Sequence, residues 1–505
     1  MSATISVLAS VGLWVLSIFV LLGAIPNVVT VVQFVLLACH RWRDHLDDDQ
    51  VGLEELPRVA VLVPAWNEAA VLKLSVDRMM ALDYPTDRLL LAVVDDASTD
   101  ETPELMAAKC AQYPGRVRHL RREQGGQGKA HTLNHGLREL LADDWAEAVL
   151  ITDADVVFEP TAIRRMTRHL ADPQVGAVTA FIKEASGSPN WMNRYIGYEY
   201  TAAQAVGRRA QNVVGAQACL AGGAQLHTRH NLEALGGLID TSTLAEDTVT
   251  TLLTQLDGRS VVFDGNAECY AEEPADVVGL WKQRLRWSRG NLQVGRRFQH
   301  VFFRPSRTHH LGNWWFGAMW WSTLLLPAFM VLASAALVAL WWLDATRGRF
   351  LFDALWISNA LGFVFTTVST LLVDRGVARR SWRQGLAFPG LVSLVVMAWV
   401  LAPAPTRALV RHVCEMLGWG WSADVRHLLA LAAYLWISVC MLAAWAIYRL
   451  DKVRTLGPLG GILLFVVGYG PLLCAITFAS YVAEARGTAA VWDKTVKTGK
   501  VVGVG

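Results

Sequence analysis

Acidic and amide side chains follow three strand-like apolar runs in the first half of the chain. Residues 59–63 read VAVLV before PAWNE, residues 89–94 read LLLAVV before DDAST, and residues 147–152 read EAVLIT before DADV. Because ligands of open parallel sheets bind beyond the carboxyl ends of the strands, we expect these side chains to share one rim. The candidate ligand-binding residues there are Pro64, Asn67, Glu68, Asp95, Asp96, Asp153 and Asp155.

The spacing of Asp153 and Asp155 suits a hard divalent cation, and we expect Mg²⁺ or Mn²⁺. Magnesium is usually held by one or two carboxylates together with substrate phosphates. A group of uncompensated acids is costly unless a cation or a donor-rich ligand lies among them. The alternative for each site alone is a loop whose aspartates cap helices, and that alternative weakens when all three strand ends are considered together.

Two further motifs add a cation and a possible base. Residues 124–131 read QGGQGKAH, which departs from a Walker P-loop at residues 123 and 130. Its glycines and Lys129 could still approach a diphosphate, or form an exposed loop with a solvated lysine. Residues 244–248 read LAEDT, where Glu246 or Asp247 could accept a proton from a sugar hydroxyl or simply cap a helix.

The segment QRLRW (283–287) combines an amide, two guanidinium groups and an indole. On a helix, Gln283, Arg286 and Trp287 would share one face, with Arg284 beside them. Such a face could hold a diphosphate and stack on a sugar. The alternative is an amphipathic helix that leads into a membrane.

The composition places part of the chain in lipid. The 505 residues are 53% hydrophobic and only 18% charged, with 21 Trp, whereas soluble domains carry about 25% charged residues. The net charge of +2 gives no reason to expect a nucleic-acid partner. The seven cysteines are scattered without CxxC pairs, so we interpret them as reduced, buried residues.

The chain divides into an N-terminal transmembrane helix (1–43), a linker (44–57), an α/β domain (58–295), an interfacial amphipathic segment (296–313), a transmembrane bundle (314–482) and a tail (483–505). The apolar stretch 5–39 exceeds the roughly 20 residues that span a bilayer, and we expect one tilted helix with a possible kink at Pro26. The segment 295–310 mixes basic and aromatic residues and predicts an interfacial helix.

The later apolar segments are 314–342, 351–373, 386–404, 425–449 and 459–482. Five crossings would place the tail lysines outside, whereas basic residues favour the inside. We therefore expect the proline-containing segment 386–404 to be interfacial or re-entrant. The alternative is a true span there with a different topology elsewhere. The basic flanks predict a multi-pass protein of the plasma membrane whose catalytic domain and C-terminus are cytoplasmic.

The ordered set of acids followed by QRLRW resembles the inverting family 2 glycosyltransferases of the processive membrane type. That family includes hyaluronan, chitin, poly-N-acetylglucosamine and cellulose synthases, and QRLRW matches its QxxRW element. The resemblance implies a GT-A-like, Rossmann-like domain inserted between transmembrane helices. It also implies a UDP-sugar donor, UDP-N-acetylglucosamine being favoured, and a growing β-linked polysaccharide as acceptor.

The resemblance also implies roles for individual residues. Asp95 or Asp96, together with Asn67 and Glu68, would help to hold the uridine, and Lys129 would hold the nucleotide. Asp153 and Asp155 would hold UDP and its metal, Asp247 would be the base, and Gln283, Arg286 and Trp287 would hold the diphosphate and the acceptor end. Gly222 and Gly223 occupy the place of the acceptor-side loop, but QLHTR follows where many relatives have aromatic residues.

The tail segment VWDKTVKTGK (491–500) looks like the gating segment of hyaluronan-type synthases. Trp492, Lys494 and Thr495 would enter the site when the donor binds, or they would belong to a disordered basic tail. Two other functions remain open. One is a non-processive transferase that loads one sugar onto a lipid carrier, and the other is a transporter with a nucleotide-sensing domain. The oligomeric state is not readable from the sequence.

Overall fold

A computed structural model of the chain describes residues 2–43, 56–488 and 501. The chain divides into two compact units, a helical unit and a sheet unit. The helical unit comprises Met1–Val35, Asp276–Arg289 and Ala318–Thr488, and the sheet unit comprises Leu36–Ala275, Gly290–Gly317 and Ala489–Gly505. We expected 58–295 to form one domain, whereas the structure groups the QRLRW segment with the helices.

The sheet unit is built on one mixed sheet with the order β3-β2-β1-β4-β7-β6-β8-β5. The first four of these strands are parallel to one another, β7 is antiparallel to both β4 and β6, and β6 is parallel to β8. The strands are β1 (Val59–Ala65), β2 (Leu89–Asp95), β3 (Val117–Arg121), β4 (Ala148–Ile151), β5 (Val157–Phe158), β6 (Val175–Glu184), β7 (Gln225–Thr228) and β8 (Ser260–Ala271).

The α-helices are numbered along the whole chain. They are α1 (Ser2–Leu22), α2 (Ile25–Arg43), α3 (Ala69–Met80), α4 (Thr102–Gln112), α5 (Lys129–Leu140), α6 (Ala162–Thr167), α7 (Trp191–Glu199), α8 (Val206–Val214), α9 (Arg229–Ala234), α10 (Glu246–Leu256), α11 (Val277–Arg297), α12 (Trp314–Leu343), α13 (Ala345–Val373), α14 (Arg375–Arg380), α15 (Trp382–Ala387), α16 (Leu391–Leu401), α17 (Pro403–Met416), α18 (Ala423–Val453), α19 (Pro458–Val467) and α20 (Tyr469–Ala485).

The central strands are buried on both faces, which explains their continuous apolar sequences. One face of the sheet packs against α3, α4 and α6, through side chains such as Leu72 and Met106. The other face packs against α5 and α9, through Leu133, Leu137 and Leu232. Two helical layers around a mainly parallel sheet confirm the predicted α/β, Rossmann-like class of this unit.

The prediction of an interfacial helix over 295–310 is wrong. Helix α11 ends at Arg297, and residues 298–313 form turns with no helix. Pro305 interrupts any helical hydrogen-bonding pattern here. The side chains of Phe302 and Leu311 are buried, and the Phe302 ring stacks on that of Phe316 at 5.9 Å. The aromatic residues that mimicked a membrane-binding face therefore pack inside the sheet unit.

The N-terminal apolar stretch forms two helices rather than one. Helices α1 and α2 are separated at Gly23 and bent by 42°, and together they are long and apolar enough for one span. A β-carbon at Gly23 would lie 3.2 Å from the Ala333 side chain, so the break occurs at a close approach. The Asn27 amide donates to Ser358 and Asn359 at 3.1 Å each, which fastens α2 to α13 by polar contacts.

In the part of the chain that the structure describes, three helices, α12, α13 and α18, are each long and apolar enough to cross a membrane, and the count reaches five if each bent pair forms one span. Helix α16 has only 11 residues, about half of what a bilayer requires. Helices α19 and α20 are bent by 88° at Gly468, a break that the sequence analysis did not predict. The chain therefore has membrane-type helices both before and after the sheet unit.

Candidate active site

The three predicted strand ends lie side by side in the sheet. Strand β1 lies between β2 and β4, and all three run in the same direction. Ala65 at the end of β1 is paired with Asp95 at the end of β2, and Asp153 follows the end of β4 by two residues. The prediction that these strands deliver their polar residues to one rim is confirmed.

Asn67 organises the loop that follows β1. Its side-chain Oδ1 accepts hydrogen bonds from the main-chain N–H of Thr99 at 2.8 Å and of Asp100 at 3.3 Å. Its own N–H donates to the Ser98 hydroxyl at 2.9 Å. Asn67 has a φ of 53°, a left-handed conformation that asparagine tolerates better than most residues. The loop after β1 and the loop after β2 are thus tied together.

The other residues around this loop are Pro64, Trp66 and Glu68. Pro64 is part of β1, and the Glu68 N–H donates to the Thr102 hydroxyl at 3.0 Å. Trp66, which the sequence analysis did not single out, is 46% exposed. An exposed indole between Pro64 and Asn67 is a signal for a base- or sugar-stacking residue that sequence reasoning could have used.

Asp95 is fully buried, so it supports the rim from below. Its Oδ1 accepts a hydrogen bond from the Ser98 N–H at 2.7 Å. Its Oδ2 lies 3.4 Å from the Arg121 guanidinium and 3.5 Å from the His119 ring. These contacts position the loop after β2.

Asp96 fixes the glycine run. One of its oxygens pairs with the Arg122 guanidinium, and the other accepts the N–H of Gly126 at 2.9 Å. A β-carbon at Gly125 would lie 2.1 Å from the Asp96 carbonyl oxygen, so only glycine permits this approach. Sequence reasoning missed Arg122, which lies two residues before the segment 124–131.

Lys129 is the first residue of α5 and reaches into the acidic rim. Its ammonium lies 2.5 Å from Asp153 Oδ1, donates to the Gly222 carbonyl at 3.0 Å and lies 3.9 Å from Glu246. Only 8% of its side chain is exposed. Burial by itself lowers the pKa of this ammonium, but Asp153, Glu246 and Asp247 outweigh burial and raise the pKa above its ordinary value. Lys129 therefore stays charged.

The Gly222–Gly223 pair lies beside two of the predicted site carboxylates, those of Asp153 and Asp247. A β-carbon at Gly222 would lie 3.0 Å from Asp247 Oδ2, and one at Gly223 would lie 3.4 Å from Asp153 Oδ2. The Gly223 carbonyl accepts a hydrogen bond from the Thr152 hydroxyl at 2.8 Å. The loop brings backbone close to both carboxylates, which requires small residues at these positions.

Glu246 and Asp247 form the first turn of α10, where the helix dipole stabilises negative charge. Glu246 is 7% exposed and faces Lys129, whereas Asp247 is half-buried. Asp247 Oδ1 accepts the N–H of Thr248 at 2.7 Å. The carboxylate that remains accessible is thus that of Asp247, and Glu246 supplies buried negative charge beside Lys129.

QRLRW lies within α11, in the helical unit, which confirms the predicted helix. Arg284 is buried and stacks on the Trp287 ring at 4.1 Å from its centroid, and it donates to the Gln283 side chain at 2.5 Å. Gln283, Arg286 and Trp287 are all half-buried. The sequence analysis predicted their shared face but missed the support of Trp287 by Arg284.

A buried ion pair fastens the same helix within the helical unit. The Arg289 Nε donates to Glu484 at 2.6 Å, and its guanidinium also donates to the Thr488 carbonyl at 2.6 Å. Trp281 stacks on Tyr448 with ring centroids 4.1 Å apart. These contacts hold α11 against α18 and α20. No sequence motif predicted them.

The predicted metal ligands Asp153 and Asp155 offer carboxylate oxygens, the ligand type that a hard divalent cation prefers. Both residues lie in the turn after β4, and the Asp153 side chain is 41% exposed. Among residues 2–43, 56–488 and 501, no group of three or more His, Cys, Asp and Glu side chains could hold a metal ion. Two carboxylates without a third protein ligand is the arrangement in which magnesium relies on substrate phosphates.

The predicted gating residues Trp492, Lys494 and Thr495 lie outside the described residues. Val501, which is described, docks on the sheet unit. It forms a β-bridge with Ser186, its carbonyl accepts a hydrogen bond from Arg78 at 3.3 Å, and its side chain packs against Val157 and Ala185.

Several known proteins are similar to this chain in sequence. Residues 57–290 match the family model described as "Glycosyltransferase like family 2". A protein described as a probable glycosyltransferase, YdaM of Bacillus subtilis, is 29% identical over 339 residues, 66% of this chain and 77% of that protein. The β-monoglucosyldiacylglycerol synthase of Synechocystis is 33% identical over 238 residues, 47% of this chain and 48% of the synthase.

A polysaccharide synthase and a solved structure also match. The poly-β-1,6-N-acetyl-D-glucosamine synthase of Staphylococcus aureus is 27% identical over 251 residues, 48% of this chain and 57% of the synthase. The chain thus spans about half the length of these two synthases.

The solved structure is the mannosyltransferase PcManGT of Pyrobaculum calidifontis in complex with GDP-Man and Mn²⁺. It matches with a TM-score of 0.50 and 26% identity, over 72% of this chain and 99% of that one. The chain is therefore an enzyme in which residues 57–290 form a family 2 glycosyltransferase domain of the GT-A type.

Proposed function

We propose that the enzyme transfers a sugar from a UDP-sugar, with inversion, to the growing end of a β-linked polysaccharide that it passes through the membrane. The observation that carries this proposal is the gathering of Asp153, Lys129, Gly222 and Asp247 at one rim. UDP-N-acetylglucosamine is the favoured donor, in keeping with the poly-N-acetylglucosamine synthase among the relatives.

Asp247 is the proposed general base. Its half-buried carboxylate lies beside the Gly222 backbone, where the absence of a side chain leaves room for an acceptor hydroxyl. The carboxylate accepts the hydroxyl proton while the acceptor oxygen attacks the anomeric carbon from the side opposite the diphosphate. Inversion at that carbon then yields a β-linkage.

Asp153 and Asp155 are the proposed anchors of the diphosphate. A divalent cation bound there would neutralise the charge that develops on the leaving group, and the solved mannosyltransferase structure contains Mn²⁺. Lys129 adds positive charge at the same edge. Gln283, Arg286 and Trp287 are proposed to hold the diphosphate and the acceptor end.

The location of the enzyme is also a proposal. Helices that are long and apolar enough to span a membrane support a membrane location, and the basic flanking residues favour a cytoplasmic catalytic domain with the plasma membrane as its site. A polymer that starts in the cytoplasm must then pass through the helical unit.

The test is incorporation of radiolabelled donors, one at a time, by the full chain purified in detergent with Mg²⁺ or Mn²⁺. The panel includes UDP-N-acetylglucosamine, UDP-glucose, UDP-glucuronate and, because of the mannosyltransferase structure, GDP-mannose. A high-molecular-weight product that a linkage-specific β-glycosidase degrades supports the proposal. Absence of product and of nucleotide release with every donor would contradict it and favour a transporter with a sensing domain.

A second function, transfer of one sugar to a lipid, is favoured by one observation. The β-monoglucosyldiacylglycerol synthase has a higher identity, 33%, than the polysaccharide synthase, 27%. A labelled product that extracts into organic solvent and carries one sugar would support this second function over polymer synthesis.

A further inference from the structure

Lys129 occupies a position that bears on the metal site. Its ammonium lies 2.5 Å from Asp153 Oδ1 and is almost fully shielded from water. The Gly222 carbonyl and Glu246 hold it from the other sides, at 3.0 and 3.9 Å. A cation that approaches Asp153 must therefore displace this ammonium or bind beside it.

We propose that Lys129 is a built-in counter-cation for Asp153, so that a divalent cation binds tightly only when a nucleotide diphosphate is also present. Without nucleotide, the ammonium neutralises Asp153 and repels a second cation at short range. With nucleotide, the diphosphate brings several negative charges to which the ammonium can turn. Asp153 then becomes available to the divalent cation.

A second feature of the site points the same way. Within the described part of the chain, no group of three or more His, Cys, Asp and Glu side chains could hold a metal ion. The protein thus offers Asp153 and Asp155, one of which is already neutralised by Lys129. The pairing makes metal and donor binding mutually dependent, which is a thermodynamic coupling between two ligands. It deepens the metal-dependent transfer proposed above and rests on it.

The direct test measures Mn²⁺ binding to the full chain in detergent by electron paramagnetic resonance of unbound Mn²⁺, without nucleotide. The Lys129→Met variant should bind Mn²⁺ about tenfold more tightly than the wild type, within the usual range of coupling between sites. Lys129→Arg, which keeps the charge, should bind as weakly as the wild type. An unchanged or weaker affinity in a folded Lys129→Met protein overturns the proposal.

The origin of the gain is tested in a second background. If Lys129 competes for Asp153, the tenfold gain should disappear when Lys129→Met is combined with Asp153→Asn, because the contested carboxylate is gone. A gain that persists in Asp153→Asn assigns the effect to general charge and overturns the proposal. Lys129→Gln, which retains a donor for the Gly222 carbonyl, replaces Lys129→Met if that variant does not fold.

The readout separates this proposal from the proposed function. Mn²⁺ affinity without nucleotide is measured in the absence of donor and acceptor, so it does not depend on which sugar is transferred. A wild-type protein that binds Mn²⁺ tightly without nucleotide would refute the counter-cation even if it makes polysaccharide. A coupled metal site in a protein that transfers no sugar would refute the proposed function instead.

Discussion

Asp247 lies in the first turn of helix α10, and its carboxylate accepts a hydrogen bond from the N–H of its neighbour Thr248. Asp247→Asn preserves shape and this contact but cannot accept a proton from an acceptor hydroxyl. We expect the turnover rate to fall roughly 10²- to 10⁴-fold, the usual contribution of a general base. The measurement is UDP release with saturating donor and acceptor.

Asp144→Asn is the matched control, because the Asp144 side chain is fully exposed at the far end of β4. It should leave turnover unchanged. A folded Asp247→Asn enzyme with the turnover of the wild type would remove Asp247 from the role of base.

Because His227 is buried, we expect the stability of the sheet unit to fall at acidic pH. It is fully buried in β7, and burial lowers the pKa of its ring from 6.5 to about 4. Below pH 6.5 the unfolded chain takes up a proton that the native ring refuses, so the native state loses stability as the pH falls towards 4. The difference of about 2.5 pKa units corresponds to a loss of at most about 3 kcal/mol.

The check on His227 is the thermal midpoint as a function of pH. Between pH 6.5 and 4, His227→Asn should show a shallower decline than the wild type, whereas the exposed His230→Asn should keep the wild-type slope. Equal slopes for all three proteins would assign the acid sensitivity to other groups.

The loop 124–128 is the element with the tightest backbone approach in the site. A β-carbon at Gly125 would lie 2.1 Å from the Asp96 carbonyl oxygen. Gly125→Ala must therefore push the loop away from Asp96, and this movement displaces Lys129, which directly follows the loop. We expect the KM for the donor to rise about tenfold, as misplacement by about 1 Å commonly costs up to 10² in rate. Steady-state kinetics over a range of donor concentrations measures it.

Gly236→Ala is the control for the backbone effect alone. Gly236 has a φ of 86°, but no atom lies within 4 Å of a β-carbon there. That variant should lower stability slightly and leave the donor KM unchanged. Equal kinetic effects of the two substitutions would contradict the steric explanation.

Helix α11 depends on a buried pair in the helical unit. The side chains of Arg289 and Glu484 are only 11% and 10% exposed. Glu484→Gln removes the negative charge that lies 2.6 Å from the Arg289 guanidinium, and removing one partner of a buried pair typically costs about 3–5 kcal/mol. We expect a clear fall in the thermal midpoint in detergent, measured by intrinsic fluorescence.

The exposed pair Arg411–Glu415 provides the comparison. Its charged groups lie 2.7 Å apart, and the two side chains are 59% and 45% exposed. Exposed pairs contribute about 0–1 kcal/mol, so Glu415→Gln should leave the midpoint almost unchanged. Similar decreases of the thermal midpoint in Glu484→Gln and Glu415→Gln would show that the buried pair contributes no more to stability than the exposed pair.

The elements themselves show what the sequence could and could not predict. Buried strand runs followed by acids predicted the shared rim, because strand direction and adjacency follow from parallel pairing. The pair of Lys129 with Asp153 could not be predicted, since it joins residues 24 positions apart through tertiary folding. The helix predicted for the segment 295–310 was wrong because aromatic side chains such as that of Phe302 are typical of a membrane-facing surface. In the structure, Phe302 is buried instead.

At the scale of the whole molecule, the membrane topology is the main open proposal. Helix α16 is too short to cross, so the arginines of α14 and the loop at Trp419 should face the same side of the membrane. Arg379→Cys and Trp419→Cys, each in a protein whose seven native cysteines are replaced by serine or alanine, test this in sealed inside-out and right-side-out vesicles with a membrane-impermeant maleimide. Both positions should react only in inside-out vesicles, and reaction from opposite sides would mean that α16 belongs to a true crossing.

The breaks in the membrane helices mark the limit of sequence reasoning at this scale. Apolar residues continue without interruption on both sides of Gly468, so composition alone favours one straight span over 459–482. The structure bends there by 88°, and a β-carbon at Gly468 would lie 2.6 Å from the backbone of Pro389. A contact between segments almost 80 residues apart sets the bend.

The two edges of the sheet have a consequence for handling the protein. One edge is β3, whose Arg118 and Arg121 are exposed, and the other is β5, only two residues long. Charged or very short edges resist strand addition by another chain. Self-association of this enzyme outside a bilayer should therefore arise from its apolar helices, so the choice of detergent, rather than protection of the sheet, should decide whether it stays dispersed during purification.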